Sequence, residues 1–459
     1  MFFQRVKTKG LGHNAYVLGC GEGLAVVVDP RRDVAEYLSL ARQNNLSVAY
    51  VLETHRQEDF EFGSRAIADV TGAKIVTGTH ELFGESDVKL ADEAELKVGT
   101  TRFVALATPG HTPESVCYAV YPKDAGEKCW GVFTGDALFV GETGRTDLPD
   151  PQKTGENAGL LYDAMHAKIT PLGDQALILP AHGAGSACGG NISDRDDTTL
   201  GIEKETNPVF KKSRMEFVDL KVKEKLPRPP YFKHMEQVNL GGGRPLRSSP
   251  APRLLQPKEL QQKLKEGGVL IDTRSPEAFA GAHIHGAYNI WQDGLSTFGG
   301  WVANENTRVF LIVDKPDDAQ KAIEALARVG IDSVEGVLVK GVEAWREQGL
   351  PIEAFGTTSA QETAAAMQAR EVHILDVRDE MEWEEKHIPG ALHTFVGHLE
   401  DQPPQLPKSS RIVVHCSVGH RSGLAASILR RQGYMDVHNL LGGLTAWEKL
   451  KLPLEKASS

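Results

Sequence analysis

The chain has 459 residues, a formal net charge of −11 and 41% hydrophobic residues. This length allows roughly three domains, each with its own core. The negative charge argues against nucleic acid and acidic membrane surfaces as main partners. No apolar run is long enough to span a bilayer, and the first residues do not resemble a signal peptide. Five scattered cysteines without metal-type pairing indicate a reducing compartment, so we expect a cytoplasmic protein.

In the first 210 residues, short apolar runs alternate with helical stretches. Strands are predicted at 25–28, 47–53, 73–76, 101–107 and 116–120. Polar residues follow strand ends, beside glycine or proline in several cases. The candidate donors at these ends are His55, Asp59, His111, Asp136 and His182. Several strand ends that each offer a histidine or an aspartate predict a metal site at one edge of a sheet.

Three motifs in this half resemble those of the persulfide dioxygenase branch of the metallo-β-lactamase fold. They are Pro-Gly-His-Thr-Pro-Glu-Ser at 109–115, Thr-Gly-Asp-Ala-Leu-Phe at 134–139 and Gly-Arg-Thr-Asp-Leu at 144–148. The resemblance implies an αββα sandwich with one Fe²⁺ per chain, held by His55, His111 and Asp136. About three positions would stay open for water, O2 and a sulfur substrate. Residues expected around this site without binding the metal are Gln57, Asp59, Arg145, Asp147 and His182.

One segment departs from the superfamily pattern. His-x-His-x-Asp-His reads here as His55-Arg-Gln57-Glu-Asp59-Phe60, so that two histidine ligands are missing. A dinuclear zinc hydrolase needs both histidines to hold two ions, and its second position would keep only Asp59 and His182. A mononuclear iron site uses neither lost position. Zinc in place of iron, or an inactive scaffold, remains open, as does the identity of the thiol carrier.

Residues 211–255 are rich in proline and glycine, which favours extended backbone. This segment is predicted to be either a passive tether or a segment wrapped along the first half. The resulting domain boundaries are 1–245 for the metallo-β-lactamase-like domain with its linker, 251–355 for a first C-terminal domain and 356–459 for a second.

Residues 256–459 contain two copies of one sequence repeat. Leu-Ile-Asp-Thr-Arg at 270–274 recurs as Ile-Leu-Asp-Val-Arg at 374–378, and Gly-Val-Glu-Ala-Trp at 341–345 recurs as Gly-Leu-Thr-Ala-Trp at 443–447. Predicted strands at 309–313 and 412–414 precede predicted helices at 319–328 and 422–432. This alternation predicts parallel sheets covered by helices, that is, α/β domains.

Cys416 follows a β-branched strand and precedes a helix in the second repeat. The amides of the following loop can surround the sulfur as an anion-binding nest, and the helix N-terminus adds a partial positive charge. Both effects favour the reactive thiolate. A Cys-x5-Arg phosphatase loop would need one more residue before the arginine. The loop residues are Ser417, Val418, Gly419, His420 and Arg421.

Both repeats resemble rhodanese (sulfurtransferase) domains along their whole length, including the Asp-x-Arg and His-Ile-x-Gly-Ala motifs. In the second repeat the resemblance implies catalysis by Cys416, with Arg421 facing an incoming oxyanion. The first repeat has Asp314 in place of the cysteine, and Pro316 removes an amide from the loop. The first repeat is therefore predicted to be inactive in sulfur transfer.

Together the two resemblances imply an enzyme of sulfide and persulfide metabolism. Iron-dependent oxidation of a low-molecular-weight persulfide to sulfite would be coupled to sulfur transfer through a Cys416 persulfide. The expected partners are a small-thiol persulfide, thiosulfate, sulfite and O2, with a homo-oligomer as the expected assembly and no nucleic acid or membrane. Two other functions stay open: a sulfurtransferase on a degenerate or zinc-bound scaffold, and a non-enzymatic persulfide sensor or carrier.

Overall fold

The computed structural model describes residues 2–148, 150–246 and 252–456. The chain divides into two compact units. The first comprises Met1–Glu224, Pro230–Ser248 and Arg328–Gly330, and the second comprises Lys225–Pro229, Ser249–Ala327 and Ile331–Ser459. Among the described residues, no helix combines the length and the apolar character needed to cross a bilayer.

The first unit contains two β-sheets. Its strands are β1 (Phe3–Thr8), β2 (His13–Gly19), β3 (Leu24–Val28), β4 (Ser47–Leu52), β5 (Lys74–Gly78), β6 (Val88–Leu90), β7 (Glu95–Val98), β8 (Thr101–Ala107), β9 (Val116–Pro122), β10 (Gly131–Gly135) and β11 (Leu177–Pro180). Strands β1 to β6 form one sheet in chain order, which is antiparallel up to β3 and parallel beyond it. The second sheet has the order β11-β10-β9-β8-β7, and only its β10–β11 pair is parallel.

Helices cover the outer faces of both sheets. They are α1 (Ala35–Gln43), α2 (Ser64–Thr71), α3 (Thr154–Ala164), α4 (Leu200–Thr206), α5 (Pro208–Lys211), α6 (Arg214–Val222) and α7 (Phe232–Leu240). Alternation along β3 shows how the layers form, since successive side chains of a strand point to opposite faces. Val26 packs in the core between the sheets with Phe103, whereas Val27 packs with Tyr37 and Ile67 of the covering helices. The predicted αββα sandwich is therefore confirmed.

The predicted linker is helical over much of its length. Helices α6 and α7 lie within the segment that was expected to be extended, so that prediction was wrong for these residues. Ser213 accepts a hydrogen bond from the amide of Glu216, whose side chain accepts one from the Ser213 amide. This capping box is a helix-start signal that outweighs the surrounding prolines. Phe217 and Phe232 are buried in the first unit, while residues 247–251 lie outside the described part of the chain.

The second unit contains the two repeats. Its strands are β12 (Leu254–Leu255), β13 (Val269–Asp272), β14 (His283–Ile284), β15 (Tyr288–Asn289), β16 (Val309–Ile312), β17 (Val334–Leu338), β18 (Ile352–Glu353), β19 (Gly356–Thr358), β20 (His373–Asp376), β21 (Leu392–His393), β22 (Arg411–His415) and β23 (Asp436–Leu440). Its helices are α8 (Pro257–Lys265), α9 (Pro276–Gly281), α10 (Leu295–Val302), α11 (Asp318–Arg328), α12 (Gly341–Glu347), α13 (Ala360–Gln368), α14 (Glu380–Glu385), α15 (His420–Arg431) and α16 (Gly443–Lys449).

The two repeats have the same sheet topology. Parallel strands follow the order β12-β17-β16-β13-β15 in the first repeat and β19-β23-β22-β20-β21 in the second. Each repeat also has a tryptophan that donates a hydrogen bond to a proline carbonyl six residues later, at 2.9 Å from Trp345 and at 2.9 Å from Trp447. The internal repeat in the sequence is thus a repeat of complete α/β domains.

Helix α15 of the second repeat packs against the first repeat. The backbone amide of Asn289 donates a hydrogen bond to Ser427 Oγ at 3.1 Å. Trp291 stacks on His420, with ring centroids 4.9 Å apart and an interplanar angle of 17°. The first repeat therefore contacts the helix that begins in the Cys416 loop.

Candidate functional site: a metal centre and a cysteine loop

The donors predicted in the first unit all follow strand ends. His55 comes after β4, His111 after β8, Asp136 after β10 and His182 after β11. A close approach of the backbone brings two of these segments together, because Gly144 has no side chain. A Cβ atom at Gly144 would lie 2.2 Å from the Asp136 carbonyl oxygen and 2.9 Å from His111 Nδ1.

The three predicted ligands converge in the buried interior. His55 Nε2 lies 3.7 Å from Asp136 Oδ2, and His111 Nε2 lies 3.4 Å from the same oxygen. Ligands at right angles around an ion with bonds of about 2.1 Å are separated by roughly 3.0 Å, and tetrahedral ligands by roughly 3.4 Å. The observed spacing of the three donor atoms therefore fits a single metal ion.

Hydrogen bonds on the far side of each imidazole select the tautomer that a metal requires. Thr54 donates its hydroxyl proton to Asp29 Oδ2 at 2.8 Å, so its oxygen can accept from His55 Nδ1–H at 3.0 Å. His111 Nδ1–H donates to the carbonyl oxygen of Arg145 at 2.8 Å. In both rings the Nε2 lone pair is left to face the site, the arrangement of metal-binding histidines.

The donor atoms also pass a test of their hydrogen bonding. Among the described residues, none forms a hydrogen bond with His55 Nε2, His111 Nε2 or Asp136 Oδ2, although all three atoms are buried. Unpartnered buried polar atoms are costly and rare in proteins. Three such atoms facing one another, two imidazole nitrogens and one carboxylate oxygen, are a donor set that fits a metal cofactor.

The metal-free site has strongly shifted pKa values. Burial alone would lower the pKa of His111, but Glu58 and Asp136 outweigh it and raise that pKa to about 9. Burial would raise the pKa of Asp136, but His182 and His55 hold it well below its ordinary range. A divalent cation would take the place of the protons that this cluster of carboxylates attracts.

Glu58 is a member of this cluster that sequence reasoning missed. Its Oε1 lies 2.8 Å from His111 Nε2, its Oε2 has no hydrogen-bond partner among the described residues, and it is 1% exposed. One ligand atom of Glu58 lies within 4.8 Å of those of His55, His111 and Asp136. The signal was its position between Gln57 and Asp59, inside the altered ligand motif.

A second buried group adjoins the first. His182 pairs through Nδ1 with Asp136 Oδ1 at 2.7 Å and through Nε2 with Asp59 Oδ2 at 2.9 Å. Cys188 is buried beside Asp59 and His182. Both ring nitrogens of His182 are engaged by carboxylates, so a second ion here would have to break at least one of these hydrogen bonds.

The two substituted positions lie around the site as follows. Gln57 Nε2 is 3.4 Å from His55 Nδ1, on the side of the ring opposite the donor atom. Phe60 is fully buried and packs against His13, with ring centroids 4.2 Å apart. Gln57 therefore contacts a ligand from behind, and Phe60 offers no donor atom.

Next to His111, the buried Arg145 pairs with the partly exposed Asp147. Arg145 Nε and Nη2 each donate to an Asp147 carboxylate oxygen at 2.7 Å, and Nη1 donates to the Ala187 carbonyl at 3.1 Å. Asp147 thus holds the guanidinium through two hydrogen bonds. The Arg145 carbonyl, which holds His111, is an additional contribution that the sequence did not reveal.

In the second unit, Cys416 directly follows β22 and lies four residues before α15. The thiol is 1% exposed, the Gly419 amide donates to its sulfur at 3.1 Å, and Ser422 Oγ lies 3.5 Å away. Gly419 has a φ of 116°, which a residue with a side chain rarely adopts. Val418 and His420 are exposed at the loop surface. Of the loop amides that were expected to surround the sulfur, the Gly419 amide donates to it.

Arg421 is held by an unexpected partner. Its Nη1 and Nη2 donate to the two carboxylate oxygens of Glu382 at 2.5 and 2.8 Å, and Ser417 Oγ donates to Glu382 at 2.9 Å. Asp379 Oδ2 lies 3.9 Å from the same guanidinium. An incoming oxyanion would therefore meet an arginine that is already paired and two carboxylates beside it. Glu382 was missed because it is far from the loop in sequence.

The Asp-x-Arg motif forms a structural brace in each repeat. Arg378 donates to both oxygens of Asp376 and to the Lys386 carbonyl, and the pair is almost fully buried. Arg274 makes the same contacts with Asp272 in the first repeat. The pair therefore holds the scaffold of each repeat.

Comparisons with known proteins agree with this architecture. Residues 8–184 match the metallo-beta-lactamase superfamily, and residues 256–348 and 359–450 each match the rhodanese-like domain. An uncharacterized protein of Mycobacterium leprae is 30% identical over 222 residues, which are 42% of this chain and 92% of the relative. The mitochondrial persulfide dioxygenase ETHE1 of Bos taurus is 29% identical over 232 residues, 50% of this chain and 83% of the relative.

A solved structure, a metallo-beta-lactamase from Staphylococcus aureus, aligns with a TM-score of 0.66 and 29% identity over 74% of this chain and 98% of that one. The first unit therefore contains a domain of the metallo-β-lactamase superfamily. This protein also carries two C-terminal rhodanese-like domains and has persulfide dioxygenases among its homologues.

Proposed function

We propose that this protein oxidises a low-molecular-weight persulfide with O2 at an iron site in its first unit and transfers sulfane sulfur through Cys416 in its second. The overall oxidation is R–S–SH + O2 + H2O → R–SH + sulfite + 2 H⁺. The observation that carries the proposal is the convergence of three unpartnered donor atoms, from His55, His111 and Asp136, in a chain whose relatives include persulfide dioxygenases.

A ferrous ion held by two histidines and a carboxylate would supply open positions for O2 and the terminal sulfur. Thr54 and the Arg145 carbonyl keep the two imidazoles in the metal-binding tautomer. His182 fixes the other oxygen of Asp136, which keeps that carboxylate from rotating. We further propose that Arg145, oriented by Asp147, attracts the anionic persulfide.

The sulfur-transfer half needs only the residues of the Cys416 loop. The Cys416 thiolate attacks the outer sulfur of a persulfide, the S–S bond breaks, and the thiol leaves with the proton. Sulfite then attacks the outer sulfur of the Cys416 persulfide, releasing thiosulfate and restoring the thiolate. The Gly419 amide and the N-terminus of α15 stabilise negative charge on the sulfur in both steps. Sulfite made in the first unit would thus be consumed in the second.

The test is O2 consumption with glutathione persulfide and, separately, coenzyme A persulfide, on anaerobically purified protein loaded with Fe²⁺. We expect one sulfite per O2 consumed and loss of at least 100-fold in rate for His111→Ala, with near-unit iron per chain in the wild type. Zinc-loaded protein is the control, and it should not consume O2. Tightly bound zinc, with no O2 uptake after iron loading, would contradict the oxidation and leave a sulfurtransferase on an inactive scaffold.

A further inference from the structure

We propose that Glu58 is a fourth protein ligand of the metal, which turns a site with two histidines and one carboxylate into one with two of each. This inference rests on the proposed function only in assuming that the site binds a divalent metal. It concerns a residue for which the superfamily pattern has no assigned role.

The position of the carboxylate is the first argument. Glu58 Oε1 lies 2.8 Å from His111 Nε2, close to the separation of roughly 3.0 Å between neighbouring ligands of an octahedral ion with bonds of about 2.1 Å. The two atoms form a buried ion pair, and a bound metal ion would take the place of the proton between them. The two atoms are thus placed as two ligands of one ion are placed.

The second argument is the cost of burying Glu58. A buried carboxylate needs a counter-charge or several hydrogen bonds. Its Oε2 has no hydrogen-bond partner among the described residues, while Oε1 faces His111 Nε2 at 2.8 Å and accepts a weak hydrogen bond from the Cys188 thiol at 3.7 Å. The neighbouring Arg56 is directed to Glu114 instead. A metal ion would replace the protonated His111, 2.8 Å away, as the counter-charge of Glu58.

The third argument is the loss of a histidine one residue earlier. Gln57 contacts the rear of the His55 ring and so does not fill the vacated ligand position. Glu58, the next residue, faces the other donors. Two carboxylates and two neutral imidazoles would balance the charge of a divalent ion. An octahedral ion would then keep two open positions, enough for O2 and one sulfur. The added oxygen donor favours iron or manganese over softer metal ions.

The experiment uses Co²⁺ as a probe on the full-length metal-free protein, so that it does not depend on dioxygenase activity. Co²⁺ affinity is measured by competition with a chelator, and the d–d absorption spectrum reports the ligand set. For Glu58→Gln, which keeps the side-chain shape, we expect at least a 100-fold loss of affinity and an altered spectrum. Glu114→Gln, another buried carboxylate, is the control and should change neither.

A second variant separates ligation from simple charge attraction. Glu58→Asp keeps the charge but withdraws the oxygens by one methylene, so a ligand role predicts a similar loss, whereas an electrostatic role predicts wild-type affinity. Wild-type affinity and spectrum in either variant would overturn the assignment of Glu58 while leaving the proposed oxidation intact. Absence of Co²⁺ binding to the wild type would overturn both.

Discussion

The two rhodanese-like repeats share a scaffold but not a reactive loop. Both have the same strand order, the same Asp-x-Arg pair and the same tryptophan–proline hydrogen bond. They differ at three places that meet in the second repeat. The residues at Cys416, Arg421 and Glu382 correspond to Asp314, Ala319 and Ala278 in the first.

This difference separates the residues that hold the fold from those that do chemistry. The buried pair Asp272–Arg274 persists in the repeat that has no cysteine, because removing either partner would leave a buried charge. The thiol, its guanidinium and the carboxylate that holds the guanidinium are all replaced there. Glu382 therefore belongs with the loop as one unit, although it lies on a different helix.

The largest effect should come from the thiol itself. We expect Cys416→Ser to reduce thiosulfate formation from cysteine persulfide and sulfite by at least about 1,000-fold, because serine cannot carry sulfane sulfur. Persulfide oxidation should stay near the wild-type rate. Mass spectrometry after treatment with persulfide should place the added sulfur on the Cys416 peptide. A label on Cys188 instead would contradict the assignment.

The reverse substitution sharpens the comparison. Asp314→Cys restores a thiol to the first repeat, but Pro316 and Ala319 supply neither the amide nor the guanidinium of the active loop. We expect no transferase activity when this change is made in the Cys416→Ser background. Recovery of even 1% of the wild-type rate would show that the scaffold alone activates a cysteine.

The scaffold pairs should show the next largest effect, and in stability instead of rate. We expect Asp376→Asn to destabilise the second unit by about 3–5 kcal/mol, since it leaves Arg378 buried with a neutral partner. Asp272→Asn should cost less, because the Arg274 side chain is 15% exposed compared with 3% for Arg378. Urea unfolding of the full chain measures both. Equal effects would contradict this ranking.

Glu382 should control which sulfur donor the loop accepts. Glu382→Gln keeps the capping hydrogen bond of α14 but removes a negative charge beside Arg421, which would favour the dianion thiosulfate. We expect kcat/KM for thiosulfate to rise about tenfold relative to cysteine persulfide, or about 1.4 kcal/mol. Glu385→Gln, an exposed carboxylate on the same helix, is the matched control. An equal change for both donors would point to a structural role only.

The smallest effect concerns pH. Burial, together with Glu382, raises the pKa of Asp379 to about 7. Asp379 is then neutral below this pH and charged above it, so the loop entrance becomes less negative as the pH falls. We expect the thiosulfate-to-persulfide ratio of kcat/KM to rise a few-fold from pH 8 to pH 6. Asp379→Asn keeps the helix cap and should flatten this dependence, whereas an unchanged slope would exclude Asp379 as its source.

Much of the architecture could be predicted from local sequence signals. Apolar periodicity predicted β3, β4, β8 and β9 to within a residue or two, and the repeated motifs predicted two equivalent α/β domains. The placement of His55, His111 and Asp136 after strands predicted that they converge. These features depend on the spacing of residues close in sequence or on repeated motifs, which a single chain displays directly. The roles of these residues remain predictions.

Only the tertiary structure decided which distant residues meet. Glu382 on α14 reaches Arg421 on α15, and Cys188 reaches Glu58, because packing brings together segments that are far apart in the sequence. The linker helices were mistaken for extended chain because proline and glycine content was weighed above a capping box and a few buried aromatic residues. The sequence by itself determined the domain types and the candidate donors, since these depend on periodicity and motifs. The charge around each site was decided by packing, since an electrostatic interaction depends on distance in space and not along the chain.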